Sequence, residues 1–576
     1  MAQPLLESRG ANPMNLNCLV PRRRFLLVLQ NAGRSARISL FLCVVSFVST
    51  ANAQTTNSFP LDGLPAIRIS PESPTLELSA ISDTVTLSWP AAASNFVVES
   101  SSDLVSGVWT RETNAVIEVA GDQTIATVPL TSEQQFFRLH GPQIYRVPIF
   151  SFAIFYNNLM EFTWTATFTI NGRVHANGDI YVGSSSALTF NSPVTTAGGI
   201  YKTNWDGHTV SQMTGPVNYY GNPSLGTDVS RVPLLGVTND TPATLREIIN
   251  MPPPGEEPTS LPGRMRYYNL AGVVLLVSNT TVTVYVKNSL TNVPISLSVT
   301  NWGTNSVSLL TTFPFLSVTN SFIDGRELSK TVRSTQIDVA KYSQWLTTNS
   351  AVLAMFPPGS ENYPIISILY VTDNRTTATD TDLFAVRLVN GSIIPTNRWL
   401  GTPRGWTVAT PNPLYVWGHY NIGPGGSTVA GNTDTSKTFP ASLVSDALTI
   451  LSGNWSDSIS FSNNLSLRQA VDTTVNAAIL TGIVYSTDAT SNHFSGGVMN
   501  VPRLLEDWAS SGGTKNLTLN TSIVNLFGSV YATNWFKNPG FYYYAPTRNF
   551  SFDLNFTNTA KLPPGTPEVT ITVPPQ

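Results

Sequence analysis

The sequence predicts a mainly β chain. A β-sandwich module stands in front, followed by a β-solenoid core that a mixed α/β insertion interrupts. Three observations carry this. In 167–201, TFTINGRVHANGDIYVGSSSALTFNSPVTTAGGIY, apolar residues recur at Ile170, Val174, Ile180, Val182, Leu188, Phe190, Val194 and Ile200. Asn-Gly at 171–172 and 177–178, a Ser run at 184–186 and Gly-Gly at 198–199 punctuate them, so short strands alternate with tight turns. Arms this short bury little face in a hairpin meander, but stacked coils share one core. Second, 66–142 carries alternating strands about ten residues apart, the spacing of a sandwich. Third, 265–400 mixes long apolar runs with one helical pattern.

Residues 1–53 read as a secretory leader. Arg22–Arg24, Arg34 and Arg37 are basic, 38–48 is an apolar run, and Ala51-Asn52-Ala53 is a small-x-small cleavage pattern. The mature chain then begins at Gln54; Met14 is an alternative start. The apolar run is too short for a bilayer span, which needs about 20 residues. No later run is long enough either. Both cysteines, Cys18 and Cys43, fall in this leader. An exported, disulfide-free chain suits a bacterium, and this length buries a core without staples. The leader holds six Arg and one Glu, so 26 basic and 34 acidic residues remain, a formal charge of −8. That argues against nucleic acid as a partner. Charged residues are only 12% of the chain, below the usual fraction of about a quarter. Asn, Thr and Ser carry the polarity, as on many extracellular β proteins.

In chain order, 54–65 reads as a linker and 66–142 as the sandwich. Val85, Leu87 and Trp89 alternate, then Phe96 and Val98, then Val116, Ile117 and Val119, then Phe136, Phe137 and Leu139. Trp89 and Trp109 are expected in the core. Residues 143–264 form the first solenoid part with long loops. Within it Thr241 caps a helix over 242–250 with Pro242 in its first turn. In 265–400, VVLLVS (273–278) and VTVYVK (282–287) form a hairpin, a helix spans 340–349, and IISILYVTDN (365–374) is a buried strand. FAVRLVNGSIIP (384–395) reads as a hairpin turning at Asn390-Gly391. In 401–560 the coil pattern resumes, with TVNAAILTGIV (474–484) as one rung and Ile479 and Ile483 pointing inward. VPRLLEDWA (501–509) reads as a short helix. Aromatics at 541–544, 550, 552 and 556 form a cap, and 561–576 is an edge strand or a disordered tail.

The pieces TVTLSWP (84–90), FVVESSSDLVSGVW (96–109) and FFRLHGP (136–142) resemble a fibronectin type III-like module. The resemblance implies a spacer or adhesive role. DVAKYSQWL, ILYVTDNR, VRLVNG, WTVATPNPLYVWGHYN, ALTILSGNW, TVNAAILTGIV, NVPRLLEDW and YAPTRNFSFDLNF occur in the order found in secreted, β-rich PilX-like proteins. Those are labelled as pilus-assembly proteins of environmental bacteria such as Verrucomicrobia. This likeness runs over about 400 residues and implies a surface component linked to pilus or envelope assembly. The leader is an ordinary cleaved one, unlike that of a pilin subunit.

Chemistry-bearing constellations are sparse. The five histidines, His140, His175, His208, His419 and His493, show no metal-ligand spacing. His175 beside Asn177-Gly178 is expected outward at a turn, so its loss should be nearly neutral. No G-x-S-x-G elbow, P-loop or H-E-x-x-H occurs. Asp373, Asp380 and Asp382 form a loop cluster in TDNRTTATDTD (372–382) whose alternating oxygens suit Ca²⁺. The loop lacks the EF-hand Gly and terminal Glu, and a solvated loop is the competing expectation. Arg173 and Lys202 are the basic residues of the first rungs. Glu506 and Asp507, adjacent on a helix, would point apart and make no acid/base pair. No catalytic or cofactor-binding residue is assigned. The expected function is an exported structural or adhesive protein of the periplasm, cell surface or exterior. Its partners are cell-envelope or extracellular proteins or polysaccharide. The alternative is a carbohydrate-binding protein or polysaccharide-degrading enzyme on the solenoid.

Overall fold

The structure is a computed structural model. It describes residues 27–30, 59–69, 74–81, 83–132, 134–205, 213–222, 225–237, 239–287, 294–354, 367–378, 380–399, 402–487, 493–509 and 513–575. The chain is mainly β, with 39% strand and 13% helix. Two units separate, one over 1–55, 70–143 and 574–576, the other over 56–69 and 144–573.

In the first unit, Glu77–Ile81, Thr84–Pro90, Gln123–Pro129 and Val116–Ala120 make one antiparallel sheet. Gln134–His140, Val97–Ser101 and Thr110–Arg111 belong to another. Thr84–Pro90 buries every second residue, and Val85, Leu87 and Trp89 meet Ala126, Val128, Val98 and Phe137 in one cluster. The Trp89 indole nitrogen donates to the Ala93 carbonyl at 2.9 Å, so burying it leaves no unmet donor. Two expectations change. Val116, Ile117 and Val119 are exposed, because Val116–Ala120 is an edge strand with both faces in solvent. Trp109 is outside the core and carries the Arg138 guanidinium 4.4 Å above its ring. Leu27–Gln30, inside the stretch read as a leader, pairs antiparallel with Gln134–His140. The cleavage pattern at 51–53 lies outside the described residues.

The 54–65 stretch is no free linker over its described part. Phe59 is buried against His175, with ring centres 5.3 Å apart, and Arg173 donates to the Pro60 carbonyl at 2.8 Å. Ile67–Ile69 pairs with Gln143–Pro148, which also neighbours Glu568–Val573. The tail therefore ends as an edge strand, one of its two expected forms.

In the second unit the chain passes three times through the same three strand positions. Ile154–Tyr156, Met160–Thr163 and Phe168–Ile170 are followed by Val174–Ala176, Ile180–Gly183 and Leu188–Phe190. Like pairs with like in parallel: Ile154, Val174 and Val194 stack, as do Met160, Ile180 and Ile200. Repeating apolar residues every 20 positions puts each one over its counterpart, and every strand shares its neighbour's core.

Ile154–Tyr156 also pairs in parallel with Ile523–Asn525, so early and late strands share one twelve-stranded sheet. From there the ladder runs through Ala478–Thr481, Ala441–Ser445, Trp406–Ala409 and Ile368–Asp373 to Val273–Val277. The last two come from 265–400. That region is therefore not a separate insertion, because its buried strands extend the same sheet. The antiparallel strands Thr281–Val286 and Ile295–Thr300 close the end of the sheet.

Asp382–Val389 is parallel to both neighbours and forms no hairpin. Its apolar run is buried on both faces, as a central parallel strand requires. Asn390, at φ 56°, turns the chain out of the sheet instead. Residues 501–509 are not helical either. Pro502–Arg503 pairs with Leu448–Leu451, and Asp507 bridges Gln469 and Tyr544. Leu504, Leu505, Glu506 and Trp508 are all buried, so no solvated face exists to make a helix amphipathic. Two helices agree better. Val339–Thr348 starts where Asp338 accepts from the Lys341 amide and packs Tyr342 and Trp345 on Phe315. Pro242–Arg246 is capped by Thr241 as expected but ends earlier. Of the terminal aromatics, Tyr542, Tyr543, Phe552 and Phe556 are buried, while Phe541 is exposed. No helix of the described residues is long and apolar enough to cross a membrane.

Candidate functional site

The strand Ile368–Asp373 ends at a carboxylate, and the chain folds back on it at once. The Arg375 side chain reaches Asp373 through Nε at 2.9 Å and Nη2 at 2.6 Å. Thr335 Oγ1 donates to the same carboxylate at 2.7 Å. A register break between Ser317 and Asn320 frees the Val318 carbonyl from its ladder, and Arg375 Nη1 donates to it at 2.6 Å. Arg375 Nη2 also donates to the Arg333 carbonyl at 3.2 Å. The guanidinium thus lies fixed between the rings of Phe384, 5.1 Å away, and Trp302, 5.9 Å away.

Around it opens a cleft of about 370 Å³. Trp302 is held by its indole nitrogen, which donates to the Ser278 carbonyl at 2.9 Å. Asn279 clasps Thr376, accepting from its amide at 2.9 Å and donating to its carbonyl at 3.0 Å. Arg333 reaches the rim, its Nε donating to Asp382 at 2.6 Å. Each arginine of the cleft therefore has its own carboxylate, and the cleft is close to neutral.

The three acidic residues expected around Ca²⁺ are dispersed onto separate cations: Asp373 on Arg375, Asp382 on Arg333 and Asp380 on Lys330. Among the described residues no group of three His, Cys, Asp or Glu is placed to hold a metal ion. The histidines are scattered too. His140 pairs with Glu99 at 2.7 Å, His419 accepts from the Thr474 amide, and His493 stacks on Trp535. His208 lies outside the described residues. His175 is fully buried, against the expectation of an outward ring; Phe59, Phe152 and Phe155 cover the side that alternation left to solvent.

The aromatic and cationic residues of the cleft, Trp302, Arg333, Arg375 and Phe384, escaped the sequence reading because they come from four separate places in the chain. Arg375 offered a local signal, standing two residues after Asp373 at the end of an apolar run. Arg333 and Asp382 lie 49 positions apart and meet only through the parallel pairing of their strands.

Glu506 is a buried carboxylate away from the cleft. Burial pushes it up to about 7, against the opposing pull of the Ser452 amide and hydroxyl and of Arg468. A carboxyl raised in the fold stays protonated while the unfolded chain ionises. Stability therefore falls as pH rises from about 4.5 to 7, by about 3 kcal/mol in all. Glu506→Gln keeps the shape and removes this slope. Urea midpoints at pH 5 and pH 8 should show the variant gaining on wild type at the higher pH. A constant gap would mean that Glu506 is ionised in the fold.

No protein-family model, no curated protein and no solved structure matches the chain.

Proposed function

We propose that this is an exported, adhesive surface protein that binds a neutral carbohydrate in the Trp302–Phe384 cleft. On this reading the second unit is a β-solenoid, a stiff stack that carries the site. Residues 66–142 are a fibronectin type III-like spacer sandwich. The likeness to secreted PilX-like proteins supports a location at the cell envelope or surface, with polysaccharide as the partner.

The observation that carries the proposal is the make-up of the cleft. Aromatic rings offer flat apolar walls to the C–H faces of a sugar ring. The fixed guanidiniums and the amides of Asn279 and Asn320 offer hydrogen bonds to hydroxyl groups. With Arg375 and Arg333 both matched by aspartates, a charged ligand gains little over a neutral one. The volume falls within the range of about 300–1,000 Å³ usual for small-molecule sites.

A glycan array followed by titration calorimetry tests this. Wild type is expected to select uncharged glycans, and Trp302→Ala to weaken the best of them at least about tenfold. Asp380→Asn changes an exposed carboxylate outside the cleft and should leave binding unchanged. No glycan binding by wild type, or full binding by Trp302→Ala, would reject the proposal.

A further inference from the structure

We infer that Val116–Ala120 is a self-association edge, on which a second copy of this chain pairs antiparallel about Ile117. A two-residue turn, Gly121 at φ 64° and Asp122, joins this strand to Gln123–Pro129. On its other side it has no neighbour strand among the described residues. Val116, Ile117 and Val119 are 69%, 53% and 61% exposed. The opposite edge strand, Glu77–Ile81, instead packs Leu78 against the core. An apolar strand with a free edge is a template for another strand.

The direction of the hydrogen bonds shows which groups are free. The Leu130 amide donates to the Asp83 carbonyl at 2.9 Å, so even positions of 123–130 bond towards Thr84–Pro90. The odd positions Gln123, Ile125 and Thr127 bond the other way, to Ala120, Glu118 and Val116. Pro129 fits this pattern: it is odd, has no N–H to give, and lies past the end of Val116–Ala120. The amides and carbonyls of Ile117 and Val119 therefore point away from the sheet.

The occupant follows from the register. Turns at 113–114 and 121–122 bound the edge, which leaves two self-pairings of full length, one about Ile117 and one about Glu118. Pairing about Glu118 sets two carboxylates directly opposite each other, which is destabilising. Pairing about Ile117 sets Ile117 opposite Ile117 and Val119 opposite Ala115, an apolar face, and Glu118 opposite Val116. It also brings the outward amides and carbonyls of the two Ile117 residues together as one doubly bonded pair. The strand is thus complementary to itself in one register. The first unit joins two copies, with no residue of the Trp302 cleft involved.

Sedimentation velocity and a cysteine trap test this on the full chain carrying Cys18→Ser and Cys43→Ser. A standard interface has about 20–30 residues a side, so this short edge should give a weak dimer, with a Kd of about 10–100 μM. Ile117→Pro should weaken it at least about tenfold with an unchanged melting curve, because that N–H serves no bond inside the sheet. Pairing about Ile117 puts the two Ile117 Cα atoms about 5.5 Å apart, within disulfide reach, and the two Glu118 Cα atoms beyond it. Oxidation should therefore link Ile117→Cys into dimers and leave Glu118→Cys monomeric. A monomer at all concentrations up to about 0.5 mM would overturn the inference. So would undiminished association of Ile117→Pro, or Glu118→Cys linking as readily as Ile117→Cys. If Ile117→Pro does not fold, the two cysteine variants decide. Trp302→Ala should leave the dimer intact, so this edge and the cleft fail independently.

Discussion

Ile479→Asp is expected to abolish folding of the second unit. Ile479 is fully buried, in the middle of the twelve-stranded sheet. Its parallel neighbours are Leu443 on one side and Ile523 on the other, so apolar side chains flank it along the stack. Its amide donates to the Ser522 carbonyl at 2.8 Å, which fixes the backbone and prevents the side chain from turning out to water. An aspartate there is either an unpaired charge or a protonated acid with unmet hydrogen bonds. The cost is at least several kcal/mol. Net stability of a whole domain is only about 5–15 kcal/mol. Val307→Asp is the control. Val307 is exposed, and it sits in the first turn of the Ser306–Thr312 helix, where an acid meets the positive end of the dipole. That variant should stay within about 0.5 kcal/mol of wild type. Soluble yield and thermal melts read both. An Ile479→Asp protein melting like wild type would show that this strand does not face the core.

Strand content, turn positions and the stacking of early on late segments could be read from the sequence. They depend on local spacing: Asn-Gly and Gly-Gly turns bracket apolar triplets that recur every 20 residues. Which face each strand buries could not be read in the same way. Alternation separates inside from outside only where one face meets water. Val174–Ala176 is buried at all three positions, and Asp382–Val389 at nearly all of its eight. In both places something distant in sequence supplies the second cover. For Val174–Ala176 it is Phe59, from a stretch that reads as a linker. For Asp382–Val389 it includes Asp457, which pairs with the buried Arg387, and the Phe322 and Trp417 rings beside that guanidinium. The cleft was hidden for the same reason. Asp373, Asp380 and Asp382 look like a cluster along the chain, yet a strand boundary sends each to a different cation. Trp302, Phe384 and Arg333 look unrelated, and the sheet brings them together.

His175 is the residue where that missing cover has the largest measurable consequence. Its ring is fully buried, and His175→Ala should cost about 2–4 kcal/mol, chiefly through the cavity left among Phe59, Phe152 and Phe155. Lost hydrogen bonds add less. Asn177 Oδ1, 3.0 Å from Nε2, keeps the Val232 amide as a donor, and Thr195 Oγ1, 2.9 Å from Nδ1, can turn to the Val174 carbonyl. The hydrogen bonds also fix the neutral tautomer. Asn177 gives its own Nδ2 protons to Asn157 and to the Val232 carbonyl, so its Oδ1 must accept. Nε2 therefore carries the proton and Nδ1 accepts from Thr195. Burial lowers the ring to about 4; the bond to Asn177 opposes this and Arg231 adds to it. A histidine lowered in the fold gives its full stability above the unfolded value of 6.5. That contribution is lost as pH falls towards 4, because the unfolded chain then binds the proton more tightly. The full loss is about 3 kcal/mol. Glu506 tilts stability the other way over much of the same range, so the wild-type profile alone is uninformative. The gap between wild type and His175→Ala isolates the ring. Denaturation midpoints should place it at about 2–4 kcal/mol at pH 7.5 and close most of it by pH 4.5. A gap below about 0.5 kcal/mol at neutral pH would return His175 to the surface. A gap that stays constant with pH would mean that the ring takes up its proton in the fold as it does in the unfolded chain.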